Sequence, residues 1–191
     1  MSKLKWKAGT FVYPLPPVMV SCGDMDNSNI ITVAWTGILC TEPAMTYVSI
    51  RKERFSHDII KNSGKFVINL ASSTLARTVD LCGVKSGRNI DKFKECGLTK
   101  ELGSETHCPM IKECPINIEC EVTEIKELGS HDMFMAKILS INVDEKYMDK
   151  TGRFDMQACD LLAYSHGEYF SLGKKLGKFG FSVEKKKKAS K

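Results

Sequence analysis

The stretch Asn27-Ser28-Asn29-Ile30-Ile31-Thr32-Val33-Ala34-Trp35-Thr36, read with Ser49-Ile50-Arg51-Lys52-Glu53-Arg54-Phe55-Ser56, decides how this chain is understood. The first segment is a polar turn entering a β-rich run. Alternation puts Thr32, Ala34 and Thr36 on one side of a strand and Ile31, Val33 and Trp35 on the other. The second segment ends a strand in Arg51 and Arg54 and opens a helix at Ser56. Backbone donors, hydroxyls and fixed positive charge so close together suit an anion such as a phosphate.

Working outward, residues 11–17 are extended, because prolines restrict themselves and their predecessors. Residues 18–22 read as a first strand, 23–27 as a turn, 30–36 as a second strand and 45–50 as a third, with a loop at 40–43. Ser56 is the expected N-cap of a short helix over 58–62, closed by Gly64, with Phe55 and Ile60 placed as a hydrophobic staple. A strand follows at 65–70. Helices are predicted over 75–82, stopped by Gly83, and over 91–96, with Asn89 before it and Gly97 after it. Residues 116–122 alternate strictly, so one face is buried and the other wet. A turn at 128–130 leads into a long strand over 133–141, a last short strand is expected at 161–164, and residues 169–173 lead into the tail. Six or seven strands with a few short helices predict a β-dominated domain, a closed or split barrel.

Composition bounds the rest. The chain has 191 residues, 42% hydrophobic and 27% charged, which suits one folded domain over 1–183. The net charge of +5 misleads, because residues 184–191 carry five lysines against one glutamate and leave the remainder at +1. A nucleic-acid-coating surface is therefore not indicated, and the lysine-rich tail 184–191 is expected to be disordered. The basic N-terminal residues lack an apolar run behind them, and no stretch approaches the roughly 18 apolar residues of a membrane helix. A cytoplasmic protein, with no membrane partner, is expected. The eight cysteines then read as reduced thiols. Cys108, Cys114 and Cys120 are six apart, no pair makes Cys-x-x-Cys, and no metal site is expected.

Common chemical signatures are missing. No G-x-G-x-x-G, G-x-x-x-x-G-K-[ST], H-E-x-x-H or G-x-S-x-G occurs. Ser56-His57-Asp58 reads like a catalytic triad in order, but consecutive helical residues point in different directions, which favours a capped first turn.

Taken together, Pro16-Pro17-Val18, Asn29 to Thr36, Ser49-Ile50-Arg51, Arg54-Phe55-Ser56, Gly64 to Asn69, Asp91-Lys92-Phe93 and His131-Asp132 resemble the flavin reductase-like, FMN-binding split-barrel family. Within it the resemblance is greatest to the flavoredoxins, and it spans residues 10–178. The resemblance implies a homodimer of Greek-key split barrels with one FMN per subunit near the interface. It implies FMN contacts at Asn29, Trp35, Ser56, Lys92, His131 and Tyr164. Thr32, Thr36, Arg51 and Arg54 join them as candidate cofactor-binding residues. Ser56, Arg51 and Arg54 suit the phosphate, and Asn29 the mixed donor and acceptor edge of the ring. Trp35 suits a place beside the ring, Lys92 a charge near its pyrimidine end, and His131 the meeting with an incoming nicotinamide. The activity this implies is NAD(P)H:flavin reductase-like, with NADH or NADPH as a transient co-substrate. A flavoredoxin-type carrier serving redox protein partners and a non-catalytic flavin-binding module are the alternatives.

Overall fold

A computed structural model describes residues 1–183, so the lysine-rich tail lies outside the described residues. The framework is a seven-stranded antiparallel sheet. Its strands are β1 (Val18–Gly23), β2 (Ser28–Val33), β3 (Thr36–Thr41), β4 (Ala44–Arg51), β5 (Lys65–Leu70), β8 (Ile116–Glu127) and β9 (His131–Val143). Between β5 and β8 lie the short strands β6 (Lys100–Leu102) and β7 (Pro109–Ile111), and the hairpin β10 (Leu162–Ser165) with β11 (Glu168–Ser171) follows β9. Three α-helices, α1 (Phe55–Ser63), α2 (Ala76–Val84) and α3 (Lys92–Glu95), decorate this β framework.

The strand order is β2-β1-β5-β8-β9-β4-β3, which makes β2 and β3 the two edges of the sheet. Yet only Ala34 and Trp35 separate them in sequence. Two residues cannot span a flat seven-stranded sheet, since neighbouring strands stand about 4.8 Å apart. The sheet therefore curls until its edges meet, and the result is a barrel. The corner itself is tight: Thr36 N–H donates to Ala34 O at 3.0 Å, and Ser49 N–H donates to Trp35 O at 2.9 Å.

Alternation along the strands fills the barrel on one side and a second core on the other. Val18, Val20 and Cys22 of β1 point inward with Ile31, Val33, Val48, Ile50, Phe66 and Phe134. Met19 and Ile30 point outward, where Val79 and Cys82 of α2, Phe93 of α3, Ile111 and Leu162 cover them. Fully burying a side chain such as Phe66 or Phe134 stabilises by about 1.5–3 kcal/mol. Buried polar groups fix the packing of the excursions. Asn69 Nδ2 donates to Met19 O at 2.8 Å and Ser21 Oγ at 2.9 Å, while its Oδ1 accepts from Ile111 N and Asn117 Nδ2.

Several expected boundaries move. The strand expected over 30–36 breaks after Val33, because the barrel corner falls at Ala34–Trp35, and Thr36 starts β3 instead. α2 passes through Gly83 to Val84, where Lys85 N–H closes it on Leu81 O. Asp91, rather than Asn89, caps α3 by accepting from the N–H groups of Phe93 and Lys94. Among the described residues, no helix is long and apolar enough to cross a membrane.

Candidate functional site

Asn29 in β2 and Ser56 in α1 are both buried, and Asn29 Nδ2 donates to Ser56 Oγ across 2.8 Å. Ser56 is not the helix cap expected of it. Arg54 N–H turns back onto Arg51 O at 3.0 Å, which starts the helix at Phe55 and leaves Arg54 in the cap position without a side-chain cap bond. The staple fails for the same reason: Phe55 lines surface clefts while Ile60 belongs to the barrel core. An uncapped first turn keeps unpaired N–H groups and the positive end of the helix dipole available to an anion.

That turn forms one wall of a cleft of about 280 Å³, with Asn29, Arg54, Ser56 and Lys92 around it. Lys92 is 4% exposed, and its Nζ donates to Ile30 O and Cys82 O, both at 2.7 Å. An ammonium has three hydrogens, so one remains for a ligand. Burial pushes Lys92 below the ordinary lysine value, and the nearby Arg54 charge adds to the push. Among the described residues, the side chains of Arg54 and Lys85 make no ion pair, although the Glu53 carboxylate in the same cleft feels the Arg54 charge. Glu53 also lines the cleft and is held by Arg51 at 3.4 Å.

Thr32, Trp35, Arg51 and His131 line a neighbouring cleft of about 270 Å³ that shares Ile31 and Arg54 with the first. The two make one groove running from the α1 end to the barrel corner. Trp35 and His131 stack with ring centroids 6.0 Å apart and planes 22° apart, giving the far end a flat aromatic wall. Burial, and then the Arg51 charge, holds His131 below its ordinary 6.5, so the imidazole is neutral at pH 7. Ser130 Oγ lies 2.9 Å from its Nδ1. The Thr32 hydroxyl is spent on Val79 O of α2.

Two expected residues lie elsewhere. Thr36 donates to Tyr47 O and lines an apolar hollow near Pro14–Val18, on the other side of the corner. Tyr164 is paired to Leu15 through the backbone and packs against Tyr13 and Tyr169. Conversely, the loop Lys85-Ser86-Gly87-Arg88 lies in the wall of the first cleft and was not singled out from the sequence. The sequence offers only two cations and a glycine between two helices, which gain meaning once α2 sets them beside Asn29. Gly87 is required by contact, since a Cβ there would stand 2.1 Å from Asn29 Oδ1.

Beneath the groove, His57 Nε2 lies 2.9 Å from Asp132 Oδ2 and its Nδ1 2.9 Å from Asp58 Oδ1. Ser56 and His57 therefore face different partners, and the sequential triad does not assemble. Burial opposes the charge of Asp132, but the bond from His57 and the nearby Lys52 outweigh it and keep its carboxyl below the usual range. Burial pushes the Cys22 and Cys82 thiols up to about 12, so neither is a thiolate at neutral pH. Among the described residues, no group of three or more His, Cys, Asp or Glu is placed to hold a metal ion.

A barrel closed at a two-residue corner, with a basic helix end leading to an aromatic wall, is a split barrel with one groove at its corner. A family profile described as "Flavin reductase like domain" matches residues 10–173, and the chain belongs to that family. It is similar to the solved flavoredoxin of Desulfovibrio vulgaris (Miyazaki F), with 32% identity and a TM-score of 0.88 over 96% of this chain and 100% of that one. The flavoredoxin of Methanosarcina acetivorans superposes with a TM-score of 0.86 at 27% identity, over 96% of this chain and 100% of that one. An uncharacterised protein of Pyrococcus abyssi is 34% identical over 135 residues, 71% of this chain and 77% of its own length.

Proposed function

We propose that this chain is an FMN-dependent oxidoreductase of the flavin reductase-like kind, which passes hydride or electrons through bound FMN. The observation that carries the reading is the single groove joining an uncapped, basic helix end to the Trp35–His131 wall. FMN has the matching asymmetry, a dianionic phosphate at one end and a flat polar ring at the other. When bound, FMN supplies reversible two-electron chemistry, and the protein sets its orientation, access and electrostatics.

In this reading the first turn of α1, Arg54 and Ser56 hold the phosphate through charge-assisted hydrogen bonds, with Lys92 offering its remaining N–H. Asn29 is oriented by its bond to Ser56 and by the close approach of Gly87 to its carbonyl, which fixes the wall of the cleft beside the ligand. Trp35 and His131 position the ring, Arg51 keeps positive charge beside it, and Thr32 shapes the wall between. Neutral His131 presents an imidazole where a nicotinamide would approach. Thr36 and Tyr164 lie apart on one chain, so they would join the site only across the interface of a homodimer, which this reading includes.

A second reading is a carrier that keeps its FMN and exchanges electrons with a redox protein. The similarity to two proteins named flavoredoxins favours it. Titrating the purified, flavin-free protein with FMN tests the shared core: quenched flavin fluorescence supports it, and unquenched flavin at saturating protein refutes it. Adding NADH or NADPH to the loaded protein separates the two readings. Steady oxidation with free flavin marks a reductase, whereas bleaching only by dithionite marks a carrier.

A further inference from the structure

Cys82 in α2 and Cys96 at the end of α3 stand on different helices and meet in space. Of the eight thiols, these two alone hydrogen-bond one another, with Cys82 donating and Cys96 accepting. Lys92 builds their approach. Its Nζ donates to Cys82 O at 2.7 Å and its carbonyl accepts from Cys96 N–H at 3.1 Å, so one residue holds both backbones. Gly97, at φ +62°, then turns the chain away. Cys82 is fully buried in the outer core, while Cys96 packs against the same cluster and stays half-buried. Cys114 shares that core but is shut in, and the exposed Cys40 spends its thiol on Glu42 O.

The two thiols are not equivalent. Burial raises both, but the bond between them opposes a thiolate on Cys82 and favours one on Cys96, and the Lys92 charge favours both. Cys96 is therefore the thiol that ionises first and meets solvent, with Cys82 behind it to resolve a mixed disulfide. The segment between them contains Lys85-Ser86-Gly87-Arg88, which walls the phosphate end of the groove, and Lys92 itself. In the dithiol state this wall rests on single bonds, Arg88 Nη1 to Glu53 O at 3.0 Å and Asn89 N–H to Ser86 O at 3.1 Å. A covalent bond between the segment's ends restricts its opening and adds no group to the cleft.

We propose that Cys82 and Cys96 form a reversible oxidation site, closed by small disulfides such as oxidised glutathione, and that closure clamps the wall of the groove around a bound nucleotide. The Cys96 thiolate, its proton released to water, attacks one sulfur of the oxidant and expels one thiolate. Cys82 then loses its proton and attacks the Cys96 sulfur, expelling the second. The protein gives up two electrons and two protons, and the oxidant takes them up as two thiols. Excess reduced glutathione runs the exchange backward. Because both thiols are raised by burial, closure is slow at neutral pH and quickens as pH rises. The effect on FMN rests on the FMN reading of the groove, whereas the disulfide itself does not.

The test equilibrates the FMN-loaded full chain in reduced or in oxidised glutathione, beside Cys96→Ser, with Cys82→Ala as the second variant should the first not fold. After alkylation and trypsin, the expected product is peptide 78–85 joined to peptide 95–100 and lighter by two hydrogens, with six of the eight thiols still free. Oxidised wild type should release FMN at least about fivefold more slowly than reduced wild type, while either variant shows one rate in both buffers. Absence of the joined peptides, or glutathione left on Cys96 as the end product, overturns the site. Joined peptides with an unchanged release rate overturn the clamp. If wild type binds no FMN, that reading fails, and limited trypsin on the folded chain decides. Slower cutting after Lys85 and Arg88 in oxidised than in reduced wild type, with no such difference in the variant, supports the clamp, and equal cutting overturns it.

Discussion

Asn29 and Ser56, 27 residues apart in sequence, are joined by a buried 2.8 Å hydrogen bond that ties the strand before the barrel corner to the first turn of α1. Ser56→Ala leaves the Asn29 amide without its partner in a buried place. We expect a loss of about 1–3 kcal/mol in unfolding free energy, read from urea midpoints. FMN affinity should fall about tenfold, read by fluorescence quenching. An unchanged affinity in a folded Ser56→Ala protein would remove Ser56 from the phosphate site.

Gly87→Ala tests the loop independently. The new methyl would stand 2.1 Å from Asn29 Oδ1 and 2.9 Å from Phe55 Cδ1, so the loop or both side chains must shift. Weaker FMN binding with a retained far-ultraviolet circular dichroism spectrum is the expected outcome.

Lys92 gives a signed pH dependence. Its value in the folded chain lies below the ordinary 10.5, mainly through burial, so the unfolded chain binds the proton more tightly. Stability contributed through this group therefore rises with pH between the depressed value and 10.5. FMN binding should move the opposite way, weakening as the ammonium loses its charge. Lys92→Met should flatten both trends in parallel urea and flavin titrations.

His131 titrates in the acid range. Because its folded value is depressed below 6.5, stability through it is intact above 6.5 and is lost as pH falls through the depressed value. Nuclear magnetic resonance of the imidazole proton should give a midpoint below 6.5. Arg51→Ala should raise that midpoint only part of the way, since burial is the larger cause.

Asp132 pins β9 to His57 of α1. Its folded carboxyl lies below the ordinary 3.8, so its contribution is present above 3.8 and disappears as pH falls through the depressed value. Removing one partner of a buried pair costs about 3–5 kcal/mol, so Asp132→Asn should unfold at clearly lower urea near neutrality. Its deficit against wild type should shrink in strong acid.

Much of this architecture is written locally. The alternation at Val18, Val20 and Cys22, and at Ile31 and Val33, fixes which side fills the barrel, and β5 begins and ends where pattern alone puts it. Harder to read is where a run of β-formers breaks. Ala34 and Trp35 are compatible with a continuing strand, and only closure of the sheet makes them a corner. β6 and β7 have three residues each, too few for a period, and depend on the Asn69 network for their place. Asn29, Arg54, Ser56 and Lys92 were legible as a set because two adjacent segments and one capped helix carry them. The Lys85–Arg88 loop was not, since its meaning depends on α2 delivering it beside Asn29. Thr36 reads as a neighbour of Trp35 on paper but is separated from it by the turn of the chain.

The two-residue corner at Ala34–Trp35 has a final consequence. The main chain of Trp35 receives Ser49 N–H at the seam while its ring stands against His131, so one residue serves closure with its backbone and the groove with its side chain. Exchanging the ring for a methyl should strip the groove of its flat face and leave the seam shut.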